Sequence, residues 1–225
     1  MSVTVIAFDV NETLLDLSGL DDAFESLFGD SSVRAQWFAQ MLQVSFVGGL
    51  TGEYVDFRTA QGAALQMVAA RHGVTVDQDT VWSVVDQMTT LSPHPEVTEA
   101  LRALRGTGLT IAALTNSPKA VAEAQVTHAG LADLFDDVLS ADTVQALKPA
   151  PEPYRHVAST FDVGVEQVRL VAAHSWDISG ALAAGCRGAF VARPGAVLSP
   201  LGQQPDIVGP DLAGVVEQIL ATDQA

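Results

Sequence analysis

Lysine is almost missing from this chain: of 225 residues, only Lys119 and Lys148 carry an ammonium group. Basic residues of both kinds number 11 against 27 acidic ones, a formal net charge of −16. A field of that sign repels phosphate backbones and anionic headgroups, so nucleic acid and acidic membranes are excluded as partners and a small-molecule substrate is expected. Cysteine is scarcer still. Cys186 stands alone, so no internal disulfide and no zinc cluster of several thiolates can form, and beside Gly185 it reads as a small buried residue. Long hydrophobic runs are missing too. Those at 106–114 and 168–173 fall far short of the roughly 18 residues that span a bilayer. No basic segment and no small-residue cleavage signal precedes Val3, so the chain is expected to stay in the cytoplasm.

What is present is a globular composition, 48% apolar, over a length that buries a full core. Short apolar runs ending in polar residues recur at 3–8, 110–114, 138–140, 168–173 and 188–191, with a weaker sixth at 206–208. Helical patterns at 119–129, 151–161 and 178–184 lie between them. This alternation predicts βαβ units and a doubly wound, Rossmann-like α/β core whose parallel sheet is covered on both faces. Ligands of such sheets bind at the carboxyl ends of the strands.

Residues 15–91 break the alternation. They hold no strand pattern but amphipathic helical ones at 21–27, 33–47, 54–71 and 77–89, separated at Gly29-Asp30, Gly48-Gly49 and His72-Gly73. Pro93-His94-Pro95 marks the return. Residues 1–14 and 92–225 are therefore expected to form the core and 15–91 an inserted helical cap subdomain, with residues 222–225 fraying at the end.

Asp9 directly follows the first strand, where a turn or cap aspartate is the common occurrence. The other strand ends decide for chemistry. The second is followed by Thr115-Asn116-Ser117, the third by Lys148, and the fourth by His174-Ser175-Trp176-Asp177. Two carboxylates, a hydroxyl with an amide, and an ammonium thus converge on one edge. In that order and spacing, with a helical insert behind the first, the motifs Phe8-Asp9-Val10-Asn11-Glu12-Thr13-Leu14, Leu114-Thr115-Asn116-Ser117, Lys148-Pro149 and Ala173-His174-Ser175-Trp176-Asp177 resemble those of the haloacid dehalogenase superfamily over nearly the whole chain.

The resemblance implies Asp9 as a nucleophile that forms a covalent intermediate, Thr115 as the group binding the reacting anion, and Lys148 as counter-charge. Asn11 to Thr13 form the turn that exposes Asp9, and Thr13 joins the catalytic set. A nearby ammonium keeps such a nucleophile ionised and later stabilises anionic charge. Lys119, in contrast, reads as a solvating helix charge.

Two positions separate branches of the superfamily. Its phosphatases carry a general-acid Asp two residues after the nucleophile, where this chain has Asn11, whose amide cannot protonate a leaving alkoxide. They also carry a metal-holding acidic residue where this chain has Ala173. Both departures resemble the 2-haloacid dehalogenases, since a halide leaves without a proton, and Tyr154 and the Ser175-Trp176-Asp177 run match that branch. The expected reaction is attack of Asp9 on a halogen-bearing carbon and hydrolysis of the resulting aspartyl ester by water that Asp177 positions, with no cofactor. Mg²⁺ would enter only under the alternative of a phosphatase or phosphotransferase; a binding protein without turnover is a further alternative. Asn116 is expected to cradle substrate or halide, and homodimers are common among the proteins this chain resembles.

Other positions depart from that branch. Phe38 stands where the resemblance calls for a carboxylate-binding arginine, leaving Arg34, one helical turn earlier, as the available substitute. Ala172 and His174 replace a serine and an asparagine. His174 is expected to orient water or bind an anion, and Trp37, Phe38, Phe46 and Trp176 to line an apolar pocket.

Overall fold

The computed structural model describes residues 2–223. Among them, six strands form one parallel sheet in the order β3-β2-β1-β4-β5-β6. They are β1 (Val5–Phe8), β2 (Thr110–Thr115), β3 (Asp137–Ser140), β4 (Val168–Ala172), β5 (Arg187–Val191) and β6 (Ile207–Gly209). The central strand β1 is buried at all four positions, because parallel sheets are covered on both faces. Its side chains alternate accordingly. Ile6 and Phe8 pack with α5 (Val97–Leu104), α6 (Lys119–His128) and α9 (Leu212–Asp223), while Val5 and Ala7 pack with α7 (Pro151–Thr160) and α8 (Ser175–Ala184).

Register positions the site. Phe8 lies opposite Ala113 on one side and Val171 on the other, and Thr115 lies opposite Ser140. The chain therefore leaves β1, β2, β3 and β4 at nearly one level.

Residues 15–91, between β1 and α5, hold four α-helices: α1 (Asp21–Phe28), α2 (Val33–Thr51), α3 (Phe57–Arg71) and α4 (Gln78–Asp86). Phe24, Trp37, Leu65 and Val81 give them a buried core. Helix α2 does not break at Gly48-Gly49 as the sequence suggested. Gly48 is there for close approach: a Cβ on it would fall 2.7 Å from the Glu53 carbonyl oxygen. The helix ends instead at Gly52, whose φ of +77° suits glycine. Helix α3 starts later than the pattern implied, because the Asp56 carboxylate accepts from the Thr59 amide and caps it. Sequence reading passed over α5 and α9 altogether. It also expected fraying where Thr222 and Asp223 complete the last turn of α9; residues 224 and 225 lie outside the described residues.

Candidate active site

Asp9 emerges from β1 into a turn in which Glu12 adopts φ +65°. The turn is held from several sides. The Asn11 side chain accepts from Gln125 Nε2 at 2.8 Å, and its amide donates to Ser117 Oγ at 3.3 Å. Arg193 donates from Nε and Nη2 to the Thr13 carbonyl and pairs through Nη1 with Glu96. The Thr13 hydroxyl, accepting from the Ala173 amide, donates to Asp9 Oδ2 at 2.6 Å. One face of the Asp9 carboxylate is thereby fixed.

Lys148 fixes the other. Its three N–H groups go to Asp9 Oδ1 at 2.8 Å, Asp177 Oδ2 at 2.6 Å and the Leu114 carbonyl at 2.9 Å. An ammonium has three donors, so this one has none to spare. Asn116 holds Lys148 in place: its Oδ1 accepts from the Lys148 amide and its Nδ2 donates to the Lys148 carbonyl. Thr115, fully buried, accepts from the Ser117 amide and pins the start of the same loop.

Asp177 lies in the first turn of α8. Tyr154 donates to its Oδ1 at 2.6 Å. Helix α8 comes this close because of Gly180, where a Cβ would stand 2.7 Å from the Tyr154 hydroxyl.

One ammonium between two enclosed carboxylates sets the electrostatics. Burial alone would raise the pKa of Asp9, but Lys148, His174 and Thr13 overcome it and hold it below the ordinary carboxylate value. Asp177 goes the other way, raised by burial and by the charge of Asp9 against the pull of Lys148. Lys148 itself is pushed up: the two carboxylates outweigh its desolvation. Tyr154, enclosed against Asp177, stays protonated well past the usual phenol range.

Above the carboxylates lies a row of rings. His174 stacks between Phe38 of α2, at 5.4 Å between centroids, and Trp176, at 5.2 Å; Phe46 of α2 meets Trp176 edge-on at 5.5 Å. His174 Nε2 lies 3.1 Å from the Asn11 carbonyl and 3.6 Å from Asp9 Oδ2, and Nδ1 lies 3.6 Å from Glu12 Oε2. A carbonyl only accepts, so Nε2 carries a hydrogen. Beside this row opens a cavity of about 690 Å³, lined among others by Glu12, Arg34, His174, Ser175 and Trp176.

Asp9, Thr13, Lys148, Asp177 and His174 are thus brought together. Other expected residues are placed differently. Asn116 spends its amide on the Lys148 backbone, and Tyr154 stands behind Asp177 rather than facing a cavity. Arg34 pairs through Nε with Asp21 at 2.6 Å, and its two Nη groups find no partner among the described residues. Ser175 Oγ accepts from the Ser199 amide. Trp37 does not line the site. It is buried inside the insert against Phe24 and donates to the Gln61 carbonyl. Gln125 and Arg193 were missed, and Glu12 was read only as part of the turn after Asp9, not as a neighbour of His174. The signal for Gln125 was available, since it shares the buried face of α6 with Ala122 and Val126, where a polar side chain needs a partner.

The profile of the haloacid dehalogenase-like hydrolases matches residues 3–185. Haloacetate dehalogenase H-2 of Moraxella sp. (strain B) is 30% identical over 96% of this chain and 98% of its own length. An (S)-2-haloacid dehalogenase of Pseudomonas sp. (strain YL) is 32% identical over 94% and 92%. Among solved structures, the L-2-haloacid dehalogenase of Xanthobacter autotrophicus with chloropropionic acid covalently bound superposes with a TM-score of 0.90 at 26% identity, covering 96% of this chain and 98% of that one.

Proposed function

Because this chain belongs to the haloacid dehalogenase-like hydrolase family, we propose that it hydrolyses the carbon–halogen bond of a small 2-haloacid through an ester on Asp9. The observation that carries this reading is the pairing of an Asp9 held ionised by Lys148 with an amide, Asn11, two residues on. A carboxylate kept charged and enclosed is a competent nucleophile, and a halide departs without the proton that Asn11 could not give.

In the first step an Asp9 oxygen attacks the halogen-bearing carbon. The new C–O bond forms as the halide leaves with the C–X electron pair. In the second, water adds to the carboxyl carbon of Asp9. One water proton passes to Asp177, whose raised affinity for a proton suits a base, and then to the departing oxygen of the 2-hydroxy acid as the ester C–O bond at the Asp9 carboxyl carbon breaks; the second water proton is released to solvent, which restores the Asp9 carboxylate. Lys148 stabilises the negative charge of the tetrahedral intermediate, and Thr13 and Thr115 fix the geometry around it. Residues 15–91 act as the cap that closes over the site, with Phe38 and Phe46 against His174 and Trp176. Arg34 draws the anion into the cavity. None of these steps calls on a metal or an organic cofactor.

The reading is tested by halide release from chloroacetate and 2-chloropropionate with EDTA present. Release that persists in EDTA and disappears in Asp9→Asn is the expected result. Silence on both acids, together with Mg²⁺-dependent cleavage of p-nitrophenyl phosphate, would overturn it.

A further inference from the structure

An anionic haloacid must approach a nucleophile that is itself an anion. Lys148 has all three donors engaged, by Asp9, Asp177 and the Leu114 carbonyl. The guanidinium of Arg193 is spent on the Thr13 carbonyl and Glu96. The remaining basic group within 4 Å of the Asp9 carboxylate among the described residues is His174. With Nε2 bound to the Asn11 carbonyl, its free edge is Nδ1, and Glu12, half exposed and lining the same cavity, already sets a carboxylate 3.6 Å from it. The rings of Phe38 and Trp176 lie nearly parallel to the imidazole, at 21° and 20°. Two aromatic faces favour a cation between them.

The geometry points to His174 as the residue that recognises the carboxylate of the substrate: the acid takes the place of Glu12 at Nδ1, and the Phe38–Trp176 sandwich supports the imidazolium that holds it. This inference rests on the haloacid reading and assigns the carboxylate subsite within it. Phe38 then has a role of its own. It stacks on the imidazole that meets the acid, and Arg34, at the cavity wall, steers without making the discriminating contact.

The test is calorimetric binding of glycolate, the product of chloroacetate, and of the neutral glycolamide. His174→Phe keeps the stack and removes both N–H groups; His174→Gln keeps one donor and serves if the Phe variant does not fold. Glycolate affinity is expected to fall about tenfold in His174→Phe, as for a lost charge-assisted hydrogen bond, with glycolamide little changed and partial recovery in His174→Gln. The inference is overturned if His174→Phe binds glycolate as wild type does, if both ligands weaken alike, if wild type does not prefer glycolate, or if Arg34→Met alone abolishes the preference. Halide release by wild type is measured in parallel. Its absence, with glycolate selectivity still dependent on His174, sinks the dehalogenase reading and leaves the subsite standing.

Discussion

The Tyr154 hydroxyl donates to Asp177 Oδ1 at 2.6 Å while Lys148 holds Oδ2 at the same distance. Asp177 is thereby clamped at both oxygens. On the proposed mechanism, removing one clamp should harm hydrolysis of the ester, the step assigned there to Asp177. In Tyr154→Phe, kcat is expected to fall about tenfold, the worth of a hydrogen bond of roughly 1.5 kcal/mol to a charged group, with the initial halide burst preserved. Intact-protein mass during turnover checks this, since the ester should accumulate. A burst that slows in step with turnover would contradict it.

Lys148→Met leaves two enclosed carboxylates facing each other without a counter-charge. Breaking a buried pair in this way costs about 3–5 kcal/mol, which for a domain of this size lowers Tm by about 10 °C. Halide release should fall by at least about a hundredfold. A variant with the wild-type Tm would show that the ammonium contributes nothing to the fold.

On the proposed mechanism, the opposite pKa shifts of the two aspartates should separate the two steps by pH. Asp9 is depressed, so the stability it contributes is present above its unfolded value and is lost only as pH falls through the lower folded value. Asp177 is raised, so keeping it ionised costs stability at neutral pH, and it takes up a proton earlier as pH falls. The halide burst should therefore survive below pH about 4, the ordinary aspartate value, after steady turnover has failed. Quenched-flow halide measurements across the acid range decide the matter; a single shared midpoint would count against it.

Tyr54, in the connection between α2 and α3, donates to the Asp142 carboxylate beyond β3 and so ties the insert to the core. Tyr54→Phe should raise KM and speed proteolysis within residues 52–56, with kcat less affected. Unchanged KM and cleavage rate would make the bond incidental.

Much of this was legible in the sequence, for identifiable reasons. The central strand β1 is apolar along its whole length, and the candidate catalytic side chains lie in the loops that follow strand ends, so Asp9, Lys148 and Asp177 could be placed by position alone. Helices α5 and α9 carry no motif residue, and α5, at eight residues, offers little more than two turns of periodic pattern. Gly48-Gly49 misled because a glycine needed for close approach looks in sequence like a helix breaker. Gln125 and Arg193 escaped because their partners, Met88 with Asn11 and Glu96 with Thr13, lie far away along the chain.

Arg169 sits fully buried in β4, next to the central strand, and two of its nitrogens reach Asp223 at 2.7 and 2.9 Å. The final turn of α9 is thus stitched into the middle of the sheet. Trimming this protein from its carboxyl end, or fusing a partner directly onto it, would strip or strain a buried cation far from the chemistry. A linker placed after residue 223 would spare it.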